Sequence, residues 1–192
     1  MIIRQVRKKK LNDSIIQYEG ENNRFIINGK YNFLKNYKMG WWKVYDKKNN
    51  EKYLDIDFFM EYDKGKEKSN QIIFYKNNKI DTSNSKFYTK QYDGKTVPYH
   101  FYCSKTNDQL YSASVNIGII ADKPLLYPTD FRCKNIQNGV YQYSLNISKY
   151  QKYEQLKVVG LFSEYLNNKT KHELSVDQIF IDDTIKLSNT SP

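Results

Sequence analysis

Histidine and cysteine are scarce in this chain, with two of each in 192 residues. Two cysteines cannot supply a four-ligand zinc site, and His100 and His172 stand at no ligand spacing from Cys103 or Cys133. The two cysteines fall in separate predicted strands and read as buried free thiols, with a single disulfide as the alternative. Glycine numbers eight and proline four, no internal repeat is visible, and no glycine-rich phosphate loop is present. Nothing approaches the length of a membrane span, and Met1-Ile2-Ile3-Arg4 breaks into charge before the apolar run of an export signal. No motif sets a nucleophile beside a base. The expectation is a non-enzymatic protein without catalytic, cofactor or metal sites and without a membrane partner. It would be made and kept in a cytoplasm, or assembled there into a virion.

What is present is alternation. In Lys52-Tyr53-Leu54-Asp55-Ile56-Asp57-Phe58-Phe59-Met60-Glu61-Tyr62, the residues Leu54, Ile56, Phe58 and Met60 fall on every second position. Only an extended strand puts such residues on one face. The same writing recurs along the chain, and its 18 Tyr suit sheets with one wet side. The sequence predicts an all-β, antiparallel two-sheet sandwich of jelly-roll or Greek-key type with about ten strands and little helix. Trp41 to Tyr45 should pair with Lys52 to Tyr62 across a polar hairpin, and Tyr99 to Cys103 with Gln109 to Ile119 across residues 104–108. Gly29 reads as a turn, residues 63–70 as a charged loop, and Lys76 to Thr96 as a long surface connection with a short edge strand at Lys86 to Gln91. Asp55 and Asp57 share a face and read as solvated outer carboxylates, and Asp182 or Asp183 as a turn or edge acid with calcium as the alternative. One domain is expected over residues 14–192, preceded by a basic arm at residues 1–13.

The net charge is +10, and it is unevenly spread. Residues 1–48 hold 12 Lys and Arg against 4 acids, so the basicity belongs to the N-terminal region. Lysine, asparagine, tyrosine and isoleucine are residues that AT-rich codons favour, which accounts for part of the total as composition. Arg4, Arg7, Lys8, Lys9 and Lys10 form the basic run of the arm, suited to weak, salt-sensitive contact with nucleic acid or an acidic surface. Beside them Ile2, Ile3 and Val6 read as an edge strand open to pairing with another chain. Trp41 and Trp42 are adjacent in a strand and must face opposite sides, one toward a core and one toward an interface or a sugar.

The segments Val140 to Tyr150, Leu156 to Phe162 and Ile179 to Ile185 resemble the closing strands of jelly-roll carbohydrate-binding modules, a pattern shared by viral and phage jelly rolls. The resemblance covers about a quarter of the chain, and Asn146 stands where those modules carry an acid. It implies a jelly-roll fold with either a structural or a sugar-binding role. The functional expectation is a structural or interaction subunit of a multi-protein assembly, with a virus or bacteriophage particle as the setting and other protein subunits as partners. A carbohydrate-binding module is the alternative, and a basic nucleoprotein component the third.

Overall fold

The computed structural model describes residues 5–61, 66–106, 108–121, 129–137, 139–168 and 173–187. Fifteen strands and one short 3-10 turn lie among them, in three antiparallel sheets. The all-β antiparallel class read from alternation is the class observed, with fifteen strands in place of about ten. The chain divides into two compact units, Met1–Lys86 and Phe87–Pro192, where a single domain over residues 14–192 was expected. The boundary falls inside the polar stretch read as a long connection. Strand alternation is the same on both sides of it, so periodicity does not mark it.

The first unit is a seven-stranded meander in sequence order: β1 (Gln5–Lys10), β2 (Ile15–Glu21), β3 (Phe25–Asn32), β4 (Tyr37–Asp46), β5 (Glu51–Glu61), β6 (Lys66–Lys76) and β7 (Lys79–Ile80). Asparagine does the turning. Asn12 Oδ1 accepts from the Ile15 amide at 2.8 Å and Asn22 Oδ1 from the Phe25 amide at 2.7 Å, each closing a hairpin with a side chain that mimics backbone. Asn36, Asn50, Asn77 and Asn78 occupy the left-handed region at φ 53–59°, which asparagine tolerates better than other non-glycine residues. The pair Asn77-Asn78 forms the two-residue link between β6 and β7. The β4–β5 hairpin is the one expected.

The N-terminal run and the charged segment differ from expectation. Residues 5–10 are no arm: they pair with β2 from Gln5↔Glu21 to Lys10↔Ile16 as the edge strand of the sheet. An edge suits long lysine side chains, whose stems lie along the sheet while their heads stay in water. Ile2, Ile3 and Arg4 lie outside the described residues. From Lys66 onward the charged segment belongs to β6, because Asn70 and Gln71 are buried and Asn70 Nδ2 donates to Asp57 at 3.0 Å.

The second unit is a sandwich. Its strands are β8 (Phe87–Lys90), β9 (Thr96–Tyr102), β10 (Gln109–Ile120), β11 (Thr129–Arg132), β12 (Lys134–Gln137), β13 (Val140–Asn146), β14 (Gln155–Asn168) and β15 (Glu173–Lys186). They form one sheet in the order β11-β10-β14-β15 and another in the order β12-β13-β9-β8. The expected β9–β10 hairpin does not form: the link crosses between sheets, and β9 pairs with β8 and β13 while β10 pairs with β11 and β14. Inward residues of both sheets share one core, with the Phe101 and Phe162 rings stacked at 4.3 Å and 8° across it. Lys90 of β8 forms an ion pair with the buried Asp183 of β15, and the Tyr88 hydroxyl donates to the same carboxylate at 3.1 Å.

Candidate functional site

The meander carries a basic, aromatic pocket on one face. Register places Lys8, Tyr18, Gly29, Tyr31, Lys38, Trp42 and Phe58 on that face, and Arg7, Lys9, Trp41 and Asp55 on the other. A pocket of about 310 Å³ is lined by Lys8, Tyr18, Tyr31, Lys38 and Trp42. Its floor is the Trp42 indole, 5 % exposed, whose Nε1 donates to the Lys30 carbonyl at 3.1 Å. The indole lies directly over Gly29, where an added Cβ would stand 2.3 Å from the ring. So Gly29 is no turn. It sits within β3, opposite Tyr18, and its missing side chain is the space the indole fills.

The walls are aromatic and the rim is cationic. Tyr18 tilts against Trp42 at 5.3 Å between centroids, and the Phe58 edge meets the indole at 6.3 Å. Lys38 Nζ lies 4.8 Å from the Phe58 centroid and 5.8 Å from that of Trp42, near enough for cation–π attraction. Glu67 holds Lys38 there through its Nζ at 2.5 Å and its amide at 2.6 Å. The Tyr31 hydroxyl donates to Asn36 Oδ1. Lys8 is exposed, lines the pocket and has no ion-pair partner among the described residues. The arrangement offers an apolar slot for a ring or flat side chain and a cation for an attached negative charge.

Of the residues singled out in the sequence, the structure brings Lys8 and Trp42 together. Lys10 shares their face but is paired to Asp13 at 2.9 Å. Arg7 lies on the far face, 4.0 Å from Glu19, with Lys9 beside it. Trp41 is 41 % exposed, also on the far face. Tyr18, Tyr31 and Lys38 were not foreseen. Their signal was a glycine inside an alternating run, Phe25, Ile27, Gly29, Tyr31, which marks close approach of a large ring as readily as a turn.

Other polar clusters serve the fold. Asp55 is 6 % exposed and accepts from Lys52 Nζ at 3.0 Å and the Tyr75 hydroxyl at 2.9 Å, so it is no solvated carboxylate. Asp182 pairs with Lys157 at 2.7 Å and Asp183 with Lys90, so each acid considered for calcium has a lysine beside it. Neither Cys103 nor Cys133 is in a disulfide, and burial pushes the Cys133 thiol up to about 12. The donor atoms of Cys103, Glu164 and Asp177 lie within 4.8 Å of one another. Glu164, 2 % exposed, accepts from the Tyr141 hydroxyl, and burial raises its carboxyl toward the neutral form, a poor ligand for a cation.

No protein-family model, curated protein or solved structure matches this chain.

Proposed function

We propose that the protein is a non-enzymatic interaction subunit that engages an acidic protein surface through the aromatic face of its N-terminal sheet. One observation carries the reading. The seven-stranded sheet buries only Ile27, Trp42 and Val44 as a core among the described residues, with Tyr18, Phe25, Tyr31, Leu54 and Phe58 half-buried against it, and Tyr18 and Tyr31 line a pocket together with Lys8 and Lys38. Aromatic side chains in a shallow recess with a cationic rim are the composition of an interface centre. The surplus of positive charge in residues 1–48 favours a partner of opposite sign and speeds its encounter. The groups nearest to reactive chemistry, Cys103 and Glu164, are 1 % and 2 % exposed, which keeps them from a substrate. The virus or phage particle is part of the proposal as the setting such a subunit would occupy.

The test uses fluorescence anisotropy of the full chain with three probes: labelled poly(Glu,Tyr) as the acidic polypeptide, an oligothymidine, and a neutral β-glucan. Poly(Glu,Tyr) should bind best, with affinity falling as salt rises, and Lys8→Gln should weaken it by about tenfold or less, the size of one partly exposed charge contact. Tighter binding of the oligothymidine would move the reading to nucleic acid, where aromatic stacking and lysines also combine. Retention of the glucan alone would make it a carbohydrate-binding module, and no binding of any probe would sink the proposal.

A further inference from the structure

The slot beside Trp42 has room for one ring and charge for one anion. At about 310 Å³ it stands at the lower end of ligand-pocket volumes, the size of a single ring-bearing group rather than of an extended ligand. Gly29 lies under the indole, and Trp42, Tyr18 and Tyr31 line the opening. Three aromatic side chains around one opening favour a flat π-system, which can pack offset or edge-on against them. The charge count is equally narrow. Two ammonium groups line the pocket, those of Lys8 and Lys38. Glu67 accepts from Lys38 Nζ at 2.5 Å and from the Lys38 amide at 2.6 Å, so that cation is already matched. Lys8 has no ion-pair partner among the described residues, whereas its neighbours in the strand do: Lys10 pairs with Asp13 and Arg7 with Glu19. Two cations against one carboxylate leave a single positive charge at the pocket.

From the room and the charge together we infer that the pocket takes one aromatic ring carrying one negative charge: a tyrosine or phenylalanine of the partner, with a carboxylate beside the ring to meet Lys8. This rests on the reading of the aromatic face as a docking surface for an acidic protein, and it names the element of that protein which enters the pocket. Ring and charge divide the work. The ring covers apolar surface that the small core of this sheet leaves half-buried, and the carboxylate answers the one cation without a counter-charge. That carboxylate belongs either to the chain end of the aromatic residue or to an acidic side chain next to it in sequence, and both present the same chemistry. A doubly charged group such as phosphotyrosine gains little here, because its second charge would reach Lys38 only in competition with Glu67.

The experiment uses the full chain with Trp41→Phe, which leaves Trp42 as the only tryptophan, so that its fluorescence reports on the pocket. Circular dichroism confirms the fold. The titrants are N-acetyl-tyrosine, its neutral amide, N-acetyl-cyclohexylalanine, N-acetyl-phosphotyrosine amide and N-acetyl-glutamyl-tyrosine amide. N-acetyl-tyrosine should bind about threefold tighter than its amide, the size of one solvent-exposed charge pair. It should also bind tighter than the cyclohexyl acid, which has the charge without the flat ring. Lys8→Gln should bring acid and amide to one affinity. The phosphotyrosine probe should stay within about threefold of N-acetyl-tyrosine. The glutamyl probe against N-acetyl-tyrosine shows whether a neighbouring side chain or the chain end supplies the charge. Equal affinity for acid and amide, equal affinity for the cyclohexyl acid, or a preference that survives Lys8→Gln each overturns the inference. So does a phosphotyrosine probe that binds roughly tenfold tighter than the rest. If poly(Glu,Tyr) binds and saturating N-acetyl-tyrosine does not displace it, this inference falls and the interaction reading stands. If N-acetyl-tyrosine binds as expected and poly(Glu,Tyr) does not, the site for a charged ring stands and the acidic-surface reading falls.

Discussion

The two halves of this chain are written in the same alternating, tyrosine-rich style, yet they use it differently. The second unit folds two sheets onto each other around nineteen buried side chains among the described residues, with Phe101, Tyr141 and Phe162 in ring contact. The described residues of the first unit form one sheet, and its core among them is three side chains. A sheet needs a partner for its apolar face: the sandwich finds it in a second sheet, and the meander holds part of that face half-buried under lysines. Burial is therefore complete where the chain stabilises itself and incomplete where it is proposed to meet another molecule.

The largest test of this contrast is a pair of aromatic truncations. Phe162→Ala opens a cavity in a closed core and should cost about 4 kcal/mol, near the middle of the range for such changes. Trp42→Ala should cost less, about 3 kcal/mol, because the space it vacates joins a pocket already open to water. Urea unfolding of both variants gives the comparison. A Trp42 loss equal to or above that of Phe162 would mean the meander is packed as tightly as the sandwich and would remove the argument for an unfinished face.

Burial of acids separates the halves as well. Asp55 in the meander is matched by Lys52, whereas Glu164 in the sandwich has the Tyr141 hydroxyl and a carboxyl raised above its usual 4.5, chiefly by burial. A raised folded pKa gives a contribution that is whole below the unfolded value, near 4.5, and is lost as pH rises through the folded value. Glu164→Gln removes that dependence. Wild-type stability relative to the variant should decline from about pH 4.5 upward, read from urea midpoints at matched pH. Parallel profiles for the two proteins would show that Glu164 does not titrate differently in the folded state.

Alternation made the class and most strand positions legible, including the β4–β5 hairpin, because every second residue in Leu54, Ile56 and Phe58 has to meet the same environment. It could not show which strands become neighbours. The spacing from Tyr99 to Gln109 is that of a hairpin, but Phe101 and Val115 both point inward from different sheets, and only the closed core decides this. Asparagine was read partly as genomic composition, yet it closes or occupies turns throughout the meander, where few glycines are available. Of the pocket, Lys8 and Trp42 were visible as candidates. Their meeting depends on Gly29, whose role is set by a neighbouring strand rather than by its own sequence context.

The smallest expected effect concerns the tryptophan beside the one in the core. Trp41 is paired with Asp57 on the face opposite the pocket and keeps 41 % of its surface exposed, so its truncation removes less buried area than that of Trp42, which is 5 % exposed. Trp41→Ala should cost about 1 kcal/mol, well below the cost of Trp42→Ala, because only part of the ring is covered. It should also leave poly(Glu,Tyr) binding at the wild-type level, since the ring cannot reach across the sheet to Lys8 or Tyr18. A measured loss of binding without a loss of stability would place the contact surface on the Trp41 face and leave the pocket a feature of packing. A loss of several kcal/mol would instead show that both faces of the meander are covered, and the contrast between a finished and an unfinished half would then fail at its most exposed aromatic residue.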